Sequence, residues 1–113
     1  MTLRSILTVS FVVGACLAVA VLVSAAAPDG PALYAAKCAL CHGKDGVPPP
    51  AFANKKVPSF RDGVWQKSKT DAAIRKSVVD GVPGTMMRSF GKDLTPGELD
   101  ALVAAVRAFS PKK

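Results

Sequence analysis

Two cysteines three residues apart, followed at once by the chain's sole histidine, constrain this sequence more than any other feature. Cys38-Ala39-Leu40-Cys41-His42 is a C-x-x-C-H pattern, which reads as covalent attachment of a c-type haem. Positions i and i+3 share one face of a helix. A single turn therefore presents both thiols to the two vinyl groups of one porphyrin edge and leaves His42 beneath the iron. Two other chemistries compete for such a motif. A zinc site needs about four ligands, but the one remaining cysteine is Cys16, in an apolar N-terminal run, and there is no second histidine. A thioredoxin-like pair belongs in a βαβ context, and no alternating strand pattern of useful length occurs here.

A chain of 113 residues allows one domain, and its N-terminal part differs from the rest. Residues 5–27 carry no charge and are dominated by Val, Leu, Ala, Ile and Phe. The run exceeds the apolar core of about 7 to 15 residues usual in a cleaved signal and reaches the ~20 that span a bilayer. It nevertheless ends in Ser24-Ala25-Ala26-Ala27, which suits signal peptidase. Residues 1–27 are therefore read as a signal peptide or an N-terminal membrane anchor, with cleavage favoured, and residues 28–113 as the functional domain. A lipoprotein reading of Cys16 is weak, because the residues after it stay apolar. Arg4, on the short N-terminal side, directs the rest of the chain across the membrane, which implies an exported, periplasmic domain.

Residues 28–113 hold 14 Lys and Arg against 8 Asp and Glu, a formal +6. Such a surplus suits nucleic acid, anionic lipid or an acidic protein. The charges fall in short pairs, such as Lys55-Lys56 and Arg75-Lys76, without interleaved aromatics, which disfavours nucleic acid. An acidic docking surface on a redox partner fits better. A domain this small builds little hydrophobic core, and its two cysteines are committed to the porphyrin. The buried macrocycle is expected to supply the missing apolar volume.

The domain reads as all-α, with about three to four short helices and long loops. Asp29-Gly30-Pro31 opens a helix that runs into the C-x-x-C-H and stops at Gly43 and Gly46. Residues 47–58 contain four prolines and are expected to form a loop around the cofactor, since Pro lacks the N–H and clashes with the preceding turn. Thr70-Asp71 caps a second helix bearing Ile74 and Val78 and ending at Gly81. Thr95-Pro96-Gly97-Glu98 combines a capping box with Pro at the first helical position. The helix it starts carries Leu99, Leu102, Val103, Val106 and Phe109 as one apolar stripe, and Tyr34 is expected to pack on that stripe.

His42 supplies one axial bond to iron. The second comes from a Met thioether, a Lys amine, or no protein group. Apart from Met1, the only methionines are Met86 and Met87, side by side in the segment between the second and last helices. Met/His ligation favours ferrous iron and raises the potential; the plain alternative is a gap-filling Met pair.

Taken together, Cys38 to Gly43 with Gly46, Val57-Pro58-Ser59-Phe60, the segment from Gly81 to Phe90 and the amphipathic helix from Pro96 resemble a small class I cytochrome c of the bacterial type, over nearly all of residues 30–110. The resemblance implies a cytochrome c fold around one haem c, held by thioethers at Cys38 and Cys41, with His42 as one axial ligand. It implies a distal methionine in a Met-Pro-x-Phe-like segment. Met87, with Phe90 three residues on, matches that register, and Met87 is preferred to Met86. Arg88 stands where proline is common in that family, so this loop lacks the stiffness a proline gives. The resemblance also implies that a backbone carbonyl among Pro48 to Pro50 accepts a hydrogen bond from His42. Trp65, by its indole N–H, and Arg61, by its fork, are candidate donors to a haem propionate; the plain alternatives are a core aromatic for Trp65 and a solvated surface charge for Arg61.

The expected function is that of an exported one-electron carrier between redox proteins, not an enzyme, since six-coordinate iron leaves no place for substrate. Two alternatives are carried forward: a membrane-anchored haem subunit of a larger oxidoreductase, and a five-coordinate haem protein that binds a gas or reduces peroxide.

Overall fold

The computed structural model describes residues 26–113. Five α-helices follow one another: α1 (Gly30–Lys37), α2 (Ala39–His42), α3 (Gly63–Ser68), α4 (Asp71–Asp80) and α5 (Pro96–Ala108), with one 3-10 turn at Pro50–Phe52. No strand occurs among the described residues. Most of the apolar run, residues 1–25, lies outside them, and so does its reading as signal or anchor. No described helix is long and apolar enough to cross a membrane.

The helix starts follow from their caps. Asp29 accepts from the Ala32 amide at 3.0 Å with Pro31 in the first turn, and Thr70 accepts from Ala73 at 3.0 Å. At α5 the capping box closes in both directions, Glu98 N–H to Thr95 Oγ1 at 3.2 Å and Thr95 N–H to Glu98 Oε1 at 3.0 Å. These bonds satisfy amides that have no partner inside the helix.

The stripe on α5 is the floor of the core. Leu99, Leu102, Val103 and Val106 are buried, and α1 and α4 both pack against this helix. The α1–α5 crossing is close because Gly30 has no side chain: a Cβ there would collide with the Ala101 carbonyl. Tyr34, Phe60, Ile74, Val78, Phe90 and Leu94 complete the core, with Phe109 packed at its edge.

One helix escaped the sequence reading. Residues 63–68 form α3, capped by Asp62, whose carboxylate accepts from Val64 N–H at 2.8 Å. It carries Gln66, only 5% exposed, whose amide donates to the carbonyls of Phe60 at 2.8 Å and Val106 at 3.0 Å. Arg107 of α5 donates to the Gln66 carbonyl at 2.6 Å, to its side-chain oxygen at 3.0 Å and to Asp71 at 2.7 Å. The middle of the chain is thereby tied to α5 by polar bonds.

Because Leu102 is 2% exposed, Leu102→Ala is expected to lower the stability of the haem-loaded protein by about 2–5 kcal/mol. Thr95→Ala, which removes half of the capping box, is expected to cost about 1 kcal/mol. Denaturant titrations checked against the unsubstituted protein measure both.

Candidate functional site

The helix that delivers the motif breaks inside it. At Cys38 the backbone leaves helical geometry (φ −120°, ψ −36°), and α2 restarts at once. Cys38 N–H donates to Tyr34 at 2.8 Å, while the Cys38 carbonyl accepts from both Cys41 at 3.2 Å and His42 at 2.9 Å. Cys38, Cys41 and His42 thus share one turn, at the three-residue spacing that two thioethers to one porphyrin edge require. Gly43 ends the turn at φ +81°, where a side chain would strike the Val47 carbonyl.

The turn is anchored from below. The Tyr34 hydroxyl donates to the Gly43 carbonyl at 2.7 Å in a buried bond, and the Tyr34 ring lies 4.9 Å from Phe109 and 6.3 Å from Phe60, centroid to centroid. Sequence reasoning placed Tyr34 on the Leu102/Val106 face of the last helix and gave neither the Phe60 contact nor this bond. Burial, reinforced by Cys38 and Asp45, pushes the phenol well above its usual range, so it stays a donor. The following loop is pinned by Phe60 N–H to the Gly46 carbonyl at 2.8 Å and by Gly46 itself, where a Cβ would lie 2.7 Å from the Phe109 ring.

Local electrostatics separate the possible chemistries. Burial pushes the Cys38 thiol up to about 11, with Lys37 pulling it down and Cys41 pushing it up. Redox-active C-x-x-C pairs rely on a depressed thiol pKa, and Cys38 has the opposite. Among the described residues no three His, Cys, Asp or Glu side chains converge into a metal cage, which removes support for zinc. Burial holds the His42 pKa below the ordinary histidine value, the Pro58 carbonyl pulling the other way. The neutral ring is the form that ligates metal.

The His42 ring stacks on Phe60, centroids 4.5 Å apart and planes 16° from parallel. Its Nδ1 is buried without a hydrogen-bond partner, and the backbone group that acts on the ring is the Pro58 carbonyl. The expected bond from His42 to a carbonyl among Pro48 to Pro50 is not made in this structure; the carbonyl that bears on the ring's charge is that of Pro58, in the stretch that also carries the stacked Phe60 ring. Of the two proposed propionate donors, Arg61 gives its Nε–H to the Asp45 carbonyl at 2.8 Å. Trp65 sits half-buried against Phe60, 5.0 Å between centroids.

Met87 stands on the segment between α4 and α5, and its surroundings differ from those of its neighbour. Met87 is half-buried against the same core as Cys38, whereas Met86 is 63% exposed. The segment is closed on itself: Val82 N–H donates to the Met87 carbonyl at 3.0 Å, and Thr85 Oγ1 accepts from Met87 N–H at 3.1 Å while donating to Val82 at 2.7 Å. Gly81, at φ +73°, lets the two ends approach, since a Cβ there would sit 2.7 Å from the Met87 carbonyl. Beyond it, Phe90 and Gly91 donate to the Val78 and Val79 carbonyls at 2.9 and 3.2 Å, stapling the segment to the end of α4.

The residues present fit a haem. Two unbridged thiols stand on one turn, and a neutral imidazole follows them with one nitrogen buried and unpartnered. Large apolar side chains remain exposed in the attachment turn (Leu40), the proline loop (Val47), α3 (Val64) and the methionine segment (Val82, Met86).

Comparison with known proteins decides the family. Residues 25–104 match the family described as cytochrome c oxidase, cbb3-type, subunit III. The chain belongs to this family. It is a small c-type cytochrome, with haem c as its covalently bound cofactor. This cytochrome is 32% identical over 81 residues to the cbb3-type cytochrome c oxidase subunit FixP of Azorhizobium caulinodans, covering 72% of its own length and 26% of that protein. It is 31% identical over 103 residues to subunit CcoP of Azospirillum sp., covering 80% of itself and 33% of that protein. The cytochrome thus spans a third or less of these relatives. Its fold is similar to that of KustC0563, a c-type cytochrome, at a TM-score of 0.68 and 38% identity, covering 74% of this chain and 99% of the other. It is also similar to part of the dihydro-heme d1 dehydrogenase NirN, at a TM-score of 0.57 and 29% identity, covering 75% of this chain and 16% of that one. Its membership makes it an electron-transfer haem protein.

Removing the Tyr34 hydroxyl orphans a buried carbonyl beside the attachment turn. Tyr34→Phe in this cytochrome is expected to cost about 1–3 kcal/mol, read as a lower denaturant midpoint of the haem-loaded protein with the haem still covalently bound.

Proposed function

We propose that this cytochrome is an exported one-electron carrier between redox proteins, with haem iron held between His42 and Met87. The observation that carries the reading is the contrast within the methionine pair: Met87 is half-buried against the core shared with Cys38, inside a hydrogen-bonded loop, while Met86 points to solvent. When bound, the haem supplies a ferric/ferrous couple. The chain's part is to hold that couple in one geometry. Cys38 and Cys41 fix the porphyrin edge, and the neutral His42 ring, packed on Phe60, gives one iron bond. Met87 offers a soft thioether that favours the reduced metal. With His42 and Met87 both engaged, the iron would have no site left for substrate, which supports a carrier over an enzyme. The formal +6 of residues 28–113 fits docking to an acidic surface on a partner. The uncharged run at residues 5–27 fits export to the periplasm, cleaved or retained as an anchor.

A second reading has its own support. The curated relatives are oxidase subunits of which this chain matches only a third or less. Retention of residues 1–27 as an anchor would make this domain the haem subunit of a larger oxidoreductase. An intact N terminus and detergent dependence of the purified protein would favour it; a mature terminus near residue 28 would favour the free carrier.

The optical spectrum tests the ligation. The ferric protein is expected to show the weak red sulfur-to-iron charge-transfer band, which Met87→Ala abolishes and Met86→Ala leaves intact. Loss of the band in Met86→Ala alone would reassign the ligand. Its absence from the unsubstituted protein, with rapid carbon monoxide binding to the ferrous form, would support five-coordinate iron.

A further inference from the structure

Arg88 occupies the position after Met87 where the family resemblance leads one to expect proline. Proline there would stiffen the backbone beside an iron ligand by fixing φ. An arginine brings no such restriction of its own, yet the structure surrounds it with restraints. Its guanidinium lies 3.9 Å from the centroid of the Phe90 ring, and Phe90 is 7% exposed and part of the core. The same guanidinium donates to the Asp93 carboxylate at 3.1 Å and to the Ser89 carbonyl at 3.2 Å. Phe90 and Asp93 are themselves fixed: Phe90 N–H donates to Val78 at the end of α4, and Asp93 N–H donates to the Phe90 carbonyl, both at 2.9 Å. Ser89 Oγ adds a bond to the Val79 carbonyl at 2.5 Å.

We infer that Arg88 is a positioning residue that does the work of the missing proline, clamping the backbone that carries the Met87 thioether onto the buried Phe90 ring and Asp93. The inference rests on the reading of Met87 as the distal ligand. Arg88 touches neither iron nor porphyrin in this role; it acts on the loop. A thioether leaves its position by rotation of the Met87 side chain or by movement of the residue 87 backbone, and the clamp bears on the second. Val82 N–H and Thr85 Oγ1 bond to the Met87 backbone on one side; on the other, Ser89, Phe90 and Gly91 are bonded to the end of α4, and the guanidinium adds to that side. An exposed cation–π contact and an exposed ion pair each favour a conformation by a factor of about two to five. Arg88 is 62% exposed and Asp93 47%, so the clamp is a modest, tunable restraint and not a rigid lock.

The test is imidazole binding to the ferric haem-loaded protein, since external imidazole takes the position that the thioether vacates. Arg88→Ala is expected to bind imidazole about fivefold more tightly than the unsubstituted protein, with Asp93→Asn shifted in the same direction by less. Arg88→Pro is expected to restore the unsubstituted affinity, because no described group accepts from the Arg88 backbone N–H and proline there sacrifices no bond. A general loss of stability would move the denaturant midpoint of all three variants without this pattern of tightening and rescue. An unchanged affinity in Arg88→Ala, with the sulfur-to-iron band present, overturns the inference and leaves Met87 as ligand. An Arg88→Pro as loose as Arg88→Ala also overturns it, since the restraint would not then be one of backbone stiffness. A ferric protein without the band overturns the Met87 reading, and this inference falls with it.

Discussion

The Tyr34 hydroxyl, bonded at 2.7 Å to the Gly43 carbonyl, ties the haem-attachment turn to the hydrophobic core. It joins the end of the attachment turn to a ring buried between α1, Phe60 and Phe109, and so fixes where His42 emerges. The arrangement requires each neighbour to be what it is. Gly43 must adopt a positive φ for its carbonyl to turn inward, Gly46 must lack a side chain so that Phe109 can close over it, and Gly30 must let α1 lie against the α5 backbone. Tyr34 thereby couples the hydrophobic stripe of α5 to the chemistry of five residues on another helix. A small domain with few core residues gains from such a bond, since a buried hydroxyl–carbonyl pair is costly to break.

The two sides of the site are held by different means. On the His42 side the restraint is packing: a stacked Phe60 ring, a buried nitrogen and a proline-rich loop pinned at Gly46. On the Met87 side it is a lattice of backbone bonds strung from the last turn of α4, closed around Gly81 and secured by Arg88. The first arrangement favours a neutral ring by burial. The second holds Met87, half-buried, against the core on which Cys38 also packs. On the proposed reading of Met87 as ligand, both restraints limit ligand movement between oxidation states, and with it the reorganisation that accompanies transfer.

Much of this was legible in the sequence, for identifiable reasons. The C-x-x-C-H motif, the Thr95-Glu98 capping box and the α5 stripe are local signals, in which spacing alone determines which groups meet. Met87 is half-buried and Met86 exposed in the structure, a difference that the Phe90 register, which bears only on the choice of ligand, does not set. The helix α3 was hidden because its two turns are short and its burial is carried by Gln66, a polar residue whose value lies in bonds to Phe60 and to Val106, forty positions away. The Asp62 cap was the one local sign of it. That His42 Nδ1 makes no bond to the Pro48–Pro50 run likewise needed the path of the loop, which proline content constrains but does not trace. Arg107 and the Tyr34 hydroxyl were invisible for the same reason: their partners are brought close only by the finished fold.

As thioether anchors, Cys38 and Cys41 are presented together by the turn from Tyr34 to Gly43. Peptide mass analysis of the protein purified from a host that matures c-type cytochromes tests that attachment directly. One haem is expected on the peptide that contains Cys38 and Cys41, with no free thiol there and a single porphyrin per chain. Two unmodified cysteines in a folded, stable protein, or a disulfide between them, would contradict it.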